Sequence, residues 1–171
     1  FELFTAEQIL KDYELSYDEI ESGNVGKSAD GGIDCIYTFI NGELLHEDTD
    51  LSGVKKTEIE LVLIQAKTSR GFSEDTLIKF LSVTEDLLNL SKPLTNFRKI
   101  YNEDVLQSIK QFRDAYETLA GRFPKLIISY YYATKGDIST INASFRKKEE
   151  KLKEKIKSLF SSSTCNVTFL G

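Results

Sequence analysis

Between Glu58 and Lys67 the chain passes almost without a polar break through Ile59, Leu61, Val62, Leu63 and Ile64, then ends in Gln65, Ala66 and Lys67. A short, nearly continuous apolar run suits a strand at the centre of a sheet, covered on both faces, and not a strand with one wet side. Helices must therefore lie on both sides of that sheet. The rest of the sequence has to supply them.

Leu3, Ala6, Leu10 and Tyr13 share one stripe at helical spacing, which predicts a helix over 1–13. Residues 16–30 are polar, contain Gly23 and Gly26, and read as a loop. Ile33 to Ile40 is rich in β-branched and aromatic residues and precedes Asn41-Gly42, the strongest two-residue hairpin signal, so a short partner strand should run through Glu43-Leu44-Leu45. The charged stretch 47–57 reads as another loop. Ser73 is a helix cap, followed by Leu77, Phe80, Leu81, Leu87 and Leu88 at helical spacing; Pro93 and Asn96 interrupt, and a second helix covers 103–120. A strand over 126–133, a long helix over 138–160 and a strand over 165–170 complete the chain.

The order is thus helix, hairpin, strand, helices, strand, helix, strand. It predicts an α/β fold with a mixed central sheet flanked by helices, the strands joined first by a hairpin and later by crossovers. No repeat or low-complexity tract divides the 171 residues, which read as one domain (1–171) large enough to bury a single core. The chain has no methionine and opens at Phe1 inside an amphipathic pattern, which marks it as an amino-terminal excerpt of a longer protein, with the remainder of that polypeptide as a partner. No apolar run approaches the roughly 18 residues of a membrane span and no leader opens the chain, so it reads as soluble and cytoplasmic. Cys35 and Cys165 sit in apolar strand contexts and read as buried thiols.

The triplet at the end of the apolar run carries chemistry. Two apart on a strand, Gln65 and Lys67 project from one face. If the strand opened by Gly31-Gly32-Ile33-Asp34 pairs beside them, a carboxylate, an amide and an ammonium meet at one end of the sheet. Asp34 then offers Mg²⁺ a hard carboxylate oxygen, Gln65 an amide oxygen and Ala66 its backbone carbonyl, a sparse set that suits a cation which keeps several waters; Mn²⁺ can substitute. Lys67 would orient a metal-bound water or stabilise the charge of a phosphoryl transition state. Asp34 and Gln65 must lie within about 6 Å of each other to share one cation. Gly31 and Gly32 let the backbone turn sharply into the strand and let a phosphate approach. The net charge of −5 argues against a nucleic-acid partner only until it is divided: residues 1–90 carry 7 basic against 19 acidic side chains, residues 91–171 carry 15 against 8. An acidic half fit for cations is joined to a basic half fit for phosphates.

Gly31-Gly32-Ile33-Asp34 with Gln65-Ala66-Lys67 resembles the PD-(D/E)xK nuclease superfamily, and within it the Mrr-like branch, where glutamine commonly replaces the acidic residue of the last triplet. The segment Asp18-Glu19-Ile20-Glu21-Ser22-Gly23, the same Gly-Gly-Ile-Asp turn, and Gln65-Ala66-Lys67-Thr68-Ser69 with Gly71-Phe72-Ser73-Glu74 resemble the amino-terminal region of AIPR-type abortive-infection phage-resistance proteins, over about residues 1–80. The resemblance implies a restriction-endonuclease-like fold, a Mg²⁺-dependent endonuclease acting on DNA in bacterial phage defence, and a homodimer as one candidate assembly. It also implies a glutamate on the first helix, for which Glu2 is the choice and Glu7 the reserve. The chain departs from the family pattern in lacking a Pro-Asp dipeptide before the triplet, and Gln65 is a weaker ligand than a carboxylate. A nuclease fold without activity, serving as a nucleic-acid-binding or assembly module, is the alternative.

Other motifs carry less. Gly23-Asn24-Val25-Gly26-Lys27-Ser28 imitates the end of a phosphate-binding P-loop, but Glu21 stands where the first glycine belongs. His46 has no histidine or cysteine partner and reads as an exposed strand-end residue. Tyr130, Tyr131 and Tyr132 alternate across a strand, which suits core packing better than base stacking. The seven basic residues from Arg146 to Lys157 share a helix with three glutamates and pair largely within it.

Overall fold

The computed structural model describes residues 1–171. In chain order its elements are α1 (Glu2–Ile9), α2 (Tyr17–Ser22), β1 (Cys35–Ile40), β2 (Glu43–Leu44), β3 (Glu58–Ala66), α3 (Glu74–Leu87), α4 (Glu103–Leu119), β4 (Lys125–Ala133), α5 (Ala143–Leu159) and β5 (Ser163–Leu170). The sheet has the order β2-β1-β3-β4-β5. β1 is antiparallel to β2 and β3, whereas β3, β4 and β5 are mutually parallel. This is the mixed sheet flanked by helices that the order of elements predicts.

β3 lies at the centre, and both of its faces are buried. Ile59, Leu61 and Leu63 join the larger core beneath α3, α4 and α5, with Phe80, Phe112 and Leu152. Val62 and Ile64 point the other way, into a smaller core closed by Ala6, Leu10 and Ile20 of the amino-terminal helices. Removing such apolar area from water is worth roughly 25 cal/mol per Å², which explains why a run with so few polar residues is confined here. Its one acidic break, Glu60, is accounted for by Ser129 Oγ, which donates to it at 2.9 Å, and by the hydroxyl of Tyr13. Tyr13 itself stacks on Phe39, with ring centroids 4.0 Å apart.

Several local expectations are corrected. Residues 17–22 are a helix and not a loop, because Ser16 and Glu19 form a reciprocal capping box and Ile20 is buried. The first helix ends at Ile9, and Glu14 turns the chain with a left-handed backbone. The long helix starts at Ala143, where the Asn142 side chain accepts from Phe145 N–H at 3.1 Å; only a short turn at Ile138–Thr140 precedes it. Cys165 is half-buried, whereas Cys35 is fully buried. Tyr130 and Tyr132 are buried in the larger core, as core packing requires. His46 is exposed, 3.3 Å from Glu19 Oε1. No helix is long and apolar enough to cross a membrane.

Candidate active site

The pairing register decides what meets at the end of the sheet. Cys35 is opposite Ile64, so one step further Asp34 comes opposite Gln65. The main chain of Asp34 is fixed from two sides: its N–H donates to the Ile64 carbonyl at 2.8 Å, and its carbonyl accepts from the N–H groups of Val25 and Gly26 at 2.8 and 3.0 Å. Before it, Gly31 and Gly32 have φ of +71° and +81°, a left-handed backbone open to glycine at little cost. The Lys79 stem also crosses this turn closely. A Cβ on Gly32 would stand 2.7 Å from Lys79 Cδ and 3.3 Å from Gln65 Oε1.

The Asp34 side chain is 5 % exposed. Its Oδ2 accepts from Gln65 Nε2 at 2.5 Å and from the Ala66 N–H at 2.7 Å. Burial pushes its carboxyl up to about 6; the Ala66 N–H opposes this, Glu2 and Asp30 add to it, and Lys67 pulls it back. A carboxylate kept in such a place against its own desolvation is a mark of functional sites, although structural networks share it.

Both hydrogen bonds fall on one oxygen, and the other faces a gap. A Cβ on Gly26 would lie 3.3 Å from Asp34 Oδ1, 3.0 Å from Glu2 Oε2 and 3.4 Å from Asn24 Oδ1. Three oxygens thus lie near the position that a Gly26 side chain would fill, and one of them, Asn24 Oδ1, already accepts from the Gly26 N–H at 3.0 Å. Of the two glutamates considered on the first helix, Glu2 reaches this gap and Glu7 is exposed. The donors are hard oxygens, the type that magnesium and manganese accept. The Ala66 carbonyl lies on the same strand edge as its N–H, since both groups of one strand residue point to the same neighbour. The donor types suit a hard divalent cation with waters completing its coordination; no group of three or more histidine, cysteine, aspartate or glutamate side chains converges anywhere in the chain.

Gln65 differs from expectation. Its amide lies inside the 6 Å limit, yet the nitrogen faces Asp34 while the oxygen is turned toward Gly32 and Lys79. Without a cation between them, a second oxygen against Asp34 would repel it, so the N–H is the stable partner. Ligation through Gln65 requires the amide to rotate. Changing Gln65→Glu tests this arrangement: two buried carboxylates in contact should cost about 3 kcal/mol of stability in EDTA. Mn²⁺ at a hundred times its Kd should restore about 2.7 kcal/mol. Thermal melting with and without Mn²⁺ measures both, and a variant insensitive to Mn²⁺ would exclude a cation at this position.

Lys67 stands just beyond β3, with Nζ 5.8 Å from the centroid of the Tyr132 ring and near enough to Asp34 to lower its carboxyl. Asp34, Gln65, Ala66, Glu2 and Lys67 are therefore gathered at one end of the sheet. Sequence reasoning missed Gly26, Asn24 and Lys79. Gly26 was visible only as a loop glycine and as part of a failed P-loop, and the position of Lys79 depends on how α3 packs over the Gly31-Gly32 turn. No family model matches the chain, and neither curated proteins nor solved structures give a match.

Proposed function

We propose that this chain is a divalent-cation-dependent nuclease that hydrolyses phosphodiester bonds of DNA, and that it serves in phage defence. The observation that carries the reading is the buried Asp34 carboxylate, held by Gln65 and Ala66 with one oxygen left facing Glu2 across the Gly26 gap, and Lys67 at the end of the same strand. Asp34 Oδ1 and Glu2 Oε2 would hold Mg²⁺ or Mn²⁺, joined by the Ala66 carbonyl. A bound cation of this kind withdraws charge from a phosphate and acidifies water. Lys67 Nζ donates to the attacking water or to a non-bridging phosphate oxygen, where negative charge grows in the transition state. The place in phage defence follows from the resemblance of residues 1–80 alone.

Nicking of supercoiled plasmid tests the reading. The wild type with Mg²⁺ or Mn²⁺ should nick, and Asp34→Ala and Lys67→Ala should not. Equal nicking by all three would remove the site assignment. The second reading, a binding or assembly module on an inactive nuclease fold, is favoured by one observation: the Gln65 amide nitrogen occupies the position a ligand oxygen would need. Retained DNA binding without nicking by any of the three would select it.

Lys79 adds a DNA contact whether the chain cleaves DNA or only binds it. Its stem crosses Gly32 beside Gln65, and no carboxylate pairs with it. A free ammonium at the edge of the site suits a DNA phosphate. Lys79→Ala should weaken DNA binding about equally for all sequences and reduce the slope of log K against log salt by about 1. A salt titration of binding in EDTA checks this, and an unchanged slope would place Lys79 outside the DNA path.

A further inference from the structure

The Gly26 gap exists because residues 24–26 lie against Asp34, where an isolated antiparallel bridge between Asn24 and Cys35, the Ile36 N–H donating to the Gly23 carbonyl at 2.9 Å, and the buried Val25 side chain hold them. A second attachment comes from a distant part of the chain. Asn102 caps α4, its Oδ1 accepting from Val105 N–H at 2.9 Å. Its Nδ2 donates to the carbonyls of Val25 at 3.1 Å and Ser28 at 3.2 Å, and its main-chain N–H donates to the carbonyl of Ala29 at 2.8 Å. One residue thus ties three positions of the loop to the first turn of a helix. Its neighbours add to the attachment. The Tyr101 ring packs on Gly31, where a Cβ would stand 2.6 Å from Tyr101 Cε1, and Lys27 Nζ meets Asp104 Oδ2 at 2.5 Å.

The tied loop contains one backbone conformation that costs free energy. Ala29 has φ of +60°, a left-handed backbone that alanine rarely adopts, and it is the carbonyl of this residue that the Asn102 N–H engages. Val25, which accepts from Asn102, donates its own N–H to Asp34. The path from α4 to the candidate site is therefore two hydrogen bonds long: Asn102 to Val25, and Val25 to Asp34. Gly26 takes the adjoining bond to the same Asp34 carbonyl, and a Cβ on it would stand close to both the Asp34 and the Glu2 carboxylates.

We propose that Asn102 is a positioning residue for the candidate cation site: it holds the 25–29 loop against Asp34 so that Gly26 keeps the gap between Asp34 Oδ1 and Glu2 Oε2 at the width of a small divalent ion. The statement about the loop stands on the geometry alone, while the statement about the ion rests on the nuclease reading above. The dual use of the Asn102 amide allows the two roles of the residue to be separated. Its oxygen serves the helix and its nitrogen serves the loop. Asn102→Ser keeps a capping oxygen, which serine provides about as well as asparagine, but loses both side-chain donors to the loop. Asn102→Asp keeps the cap too, and sets a negative charge against the Val25 and Ser28 carbonyls.

The experiment uses the full chain in three forms: wild type, Asn102→Ser and Asn102→Asp. Two quantities are read, amide hydrogen exchange of Val25 and Gly26 by NMR in EDTA, and Mn²⁺ affinity by titration. Both variants should exchange these two amides at least about tenfold faster than wild type, with the Leu63 amide of the central strand unchanged. Their Mn²⁺ affinity should fall about 10- to 100-fold, the usual cost of losing a group that orients ligands. Wild-type exchange at Val25 and Gly26 in Asn102→Ser overturns the proposal. So does an equal loss of protection at Leu63, which would make Asn102 a general structural residue. If the wild type binds no Mn²⁺ but the two amides still exchange faster in the variants, the tether stands and the cation reading falls. If Mn²⁺ binds equally to all three, the proposed control of the ion falls and the nuclease reading remains.

Discussion

Replacing Asp34 with asparagine should give a protein that is more stable than the wild type at pH 7 to 8 and inactive on DNA. The Asp34 carboxyl is pushed from its ordinary value of 3.8 up to about 6 in the folded protein, chiefly by burial. Between those two values the folded state holds a proton that the unfolded state has released. The stabilising contribution of protonated Asp34 is therefore complete below about 3.8 and is lost as pH rises through about 6. Above that, the protein carries a buried charge at a cost of about 1–3 kcal/mol. Asparagine keeps the shape and can still accept from Gln65 Nε2 and the Ala66 N–H while carrying no charge. For a domain of this size the gain corresponds to several degrees in Tm, at about 2–4 °C per kcal/mol. Melting curves from pH 4.5 to 8 in EDTA should show the wild type and the variant approaching each other toward low pH, separating as pH rises toward about 6, and keeping a constant gap above about 7. The activity should move the opposite way. A carboxylate that holds the cation supplies several kcal/mol of transition-state stabilisation, so Asp34→Asn should lose about three orders of magnitude in plasmid nicking. A variant that gains stability while losing activity would show a residue kept for chemistry at the expense of the fold.

Lys67→Ala should lower cleavage by about two to three orders of magnitude, the range found when one donor to a developing negative charge is removed. Its effect on folding should be small. Lys67 is half-buried, makes no ion pair, and lies over the face of Tyr132 at 5.8 Å, a contact worth about 0.5–1 kcal/mol. The variant also has a pH signature. Lys67 opposes the upward push on Asp34 that burial, Glu2 and Asp30 exert, so its removal should raise the Asp34 carboxyl further. The fall of stability with rising pH should then begin at the same pH as in the wild type, near 3.8, and continue to a higher pH. Single-turnover cleavage at saturating DNA, together with the pH dependence of Tm, measures both effects. Loss of binding with no change in the cleavage rate of bound DNA would move Lys67 from the chemical step to substrate capture.

The central strand, the Asn41-Gly42 hairpin and the order of elements were legible in the sequence because each rests on a local pattern: a continuous apolar run, a turn dipeptide, a helical stripe. The meeting of Asp34 with Gln65 was legible for the same reason, since two neighbouring antiparallel strands bring their ends together once the register is given. What the sequence concealed depends on packing between distant segments. The Ser16–Glu19 capping box was written in the chain, but the surrounding polar residues and glycines masked a helix with only one buried apolar side chain, Ile20. The gap at Gly26 requires α1 and the loop after α2 to converge on Asp34. The direction of the Gln65 amide is a response to a charge 31 residues away. Lys79 and Asn102 belong to helices whose own patterns concern only the core. Neither residue advertises its reach toward the site.

The claim on which the rest depends is that Asp34 and Glu2 make one divalent-cation site across Gly26. Its most direct measurement is Mn²⁺ binding to the DNA-free protein at pH 7.5, followed by electron paramagnetic resonance of the free ion, for the wild type beside Asp34→Asn and Glu2→Gln. One saturable site per chain in the wild type, lost in Asp34→Asn and weakened in Glu2→Gln, is the predicted result. Binding that survives unchanged in both variants, or none in the wild type, would contradict it.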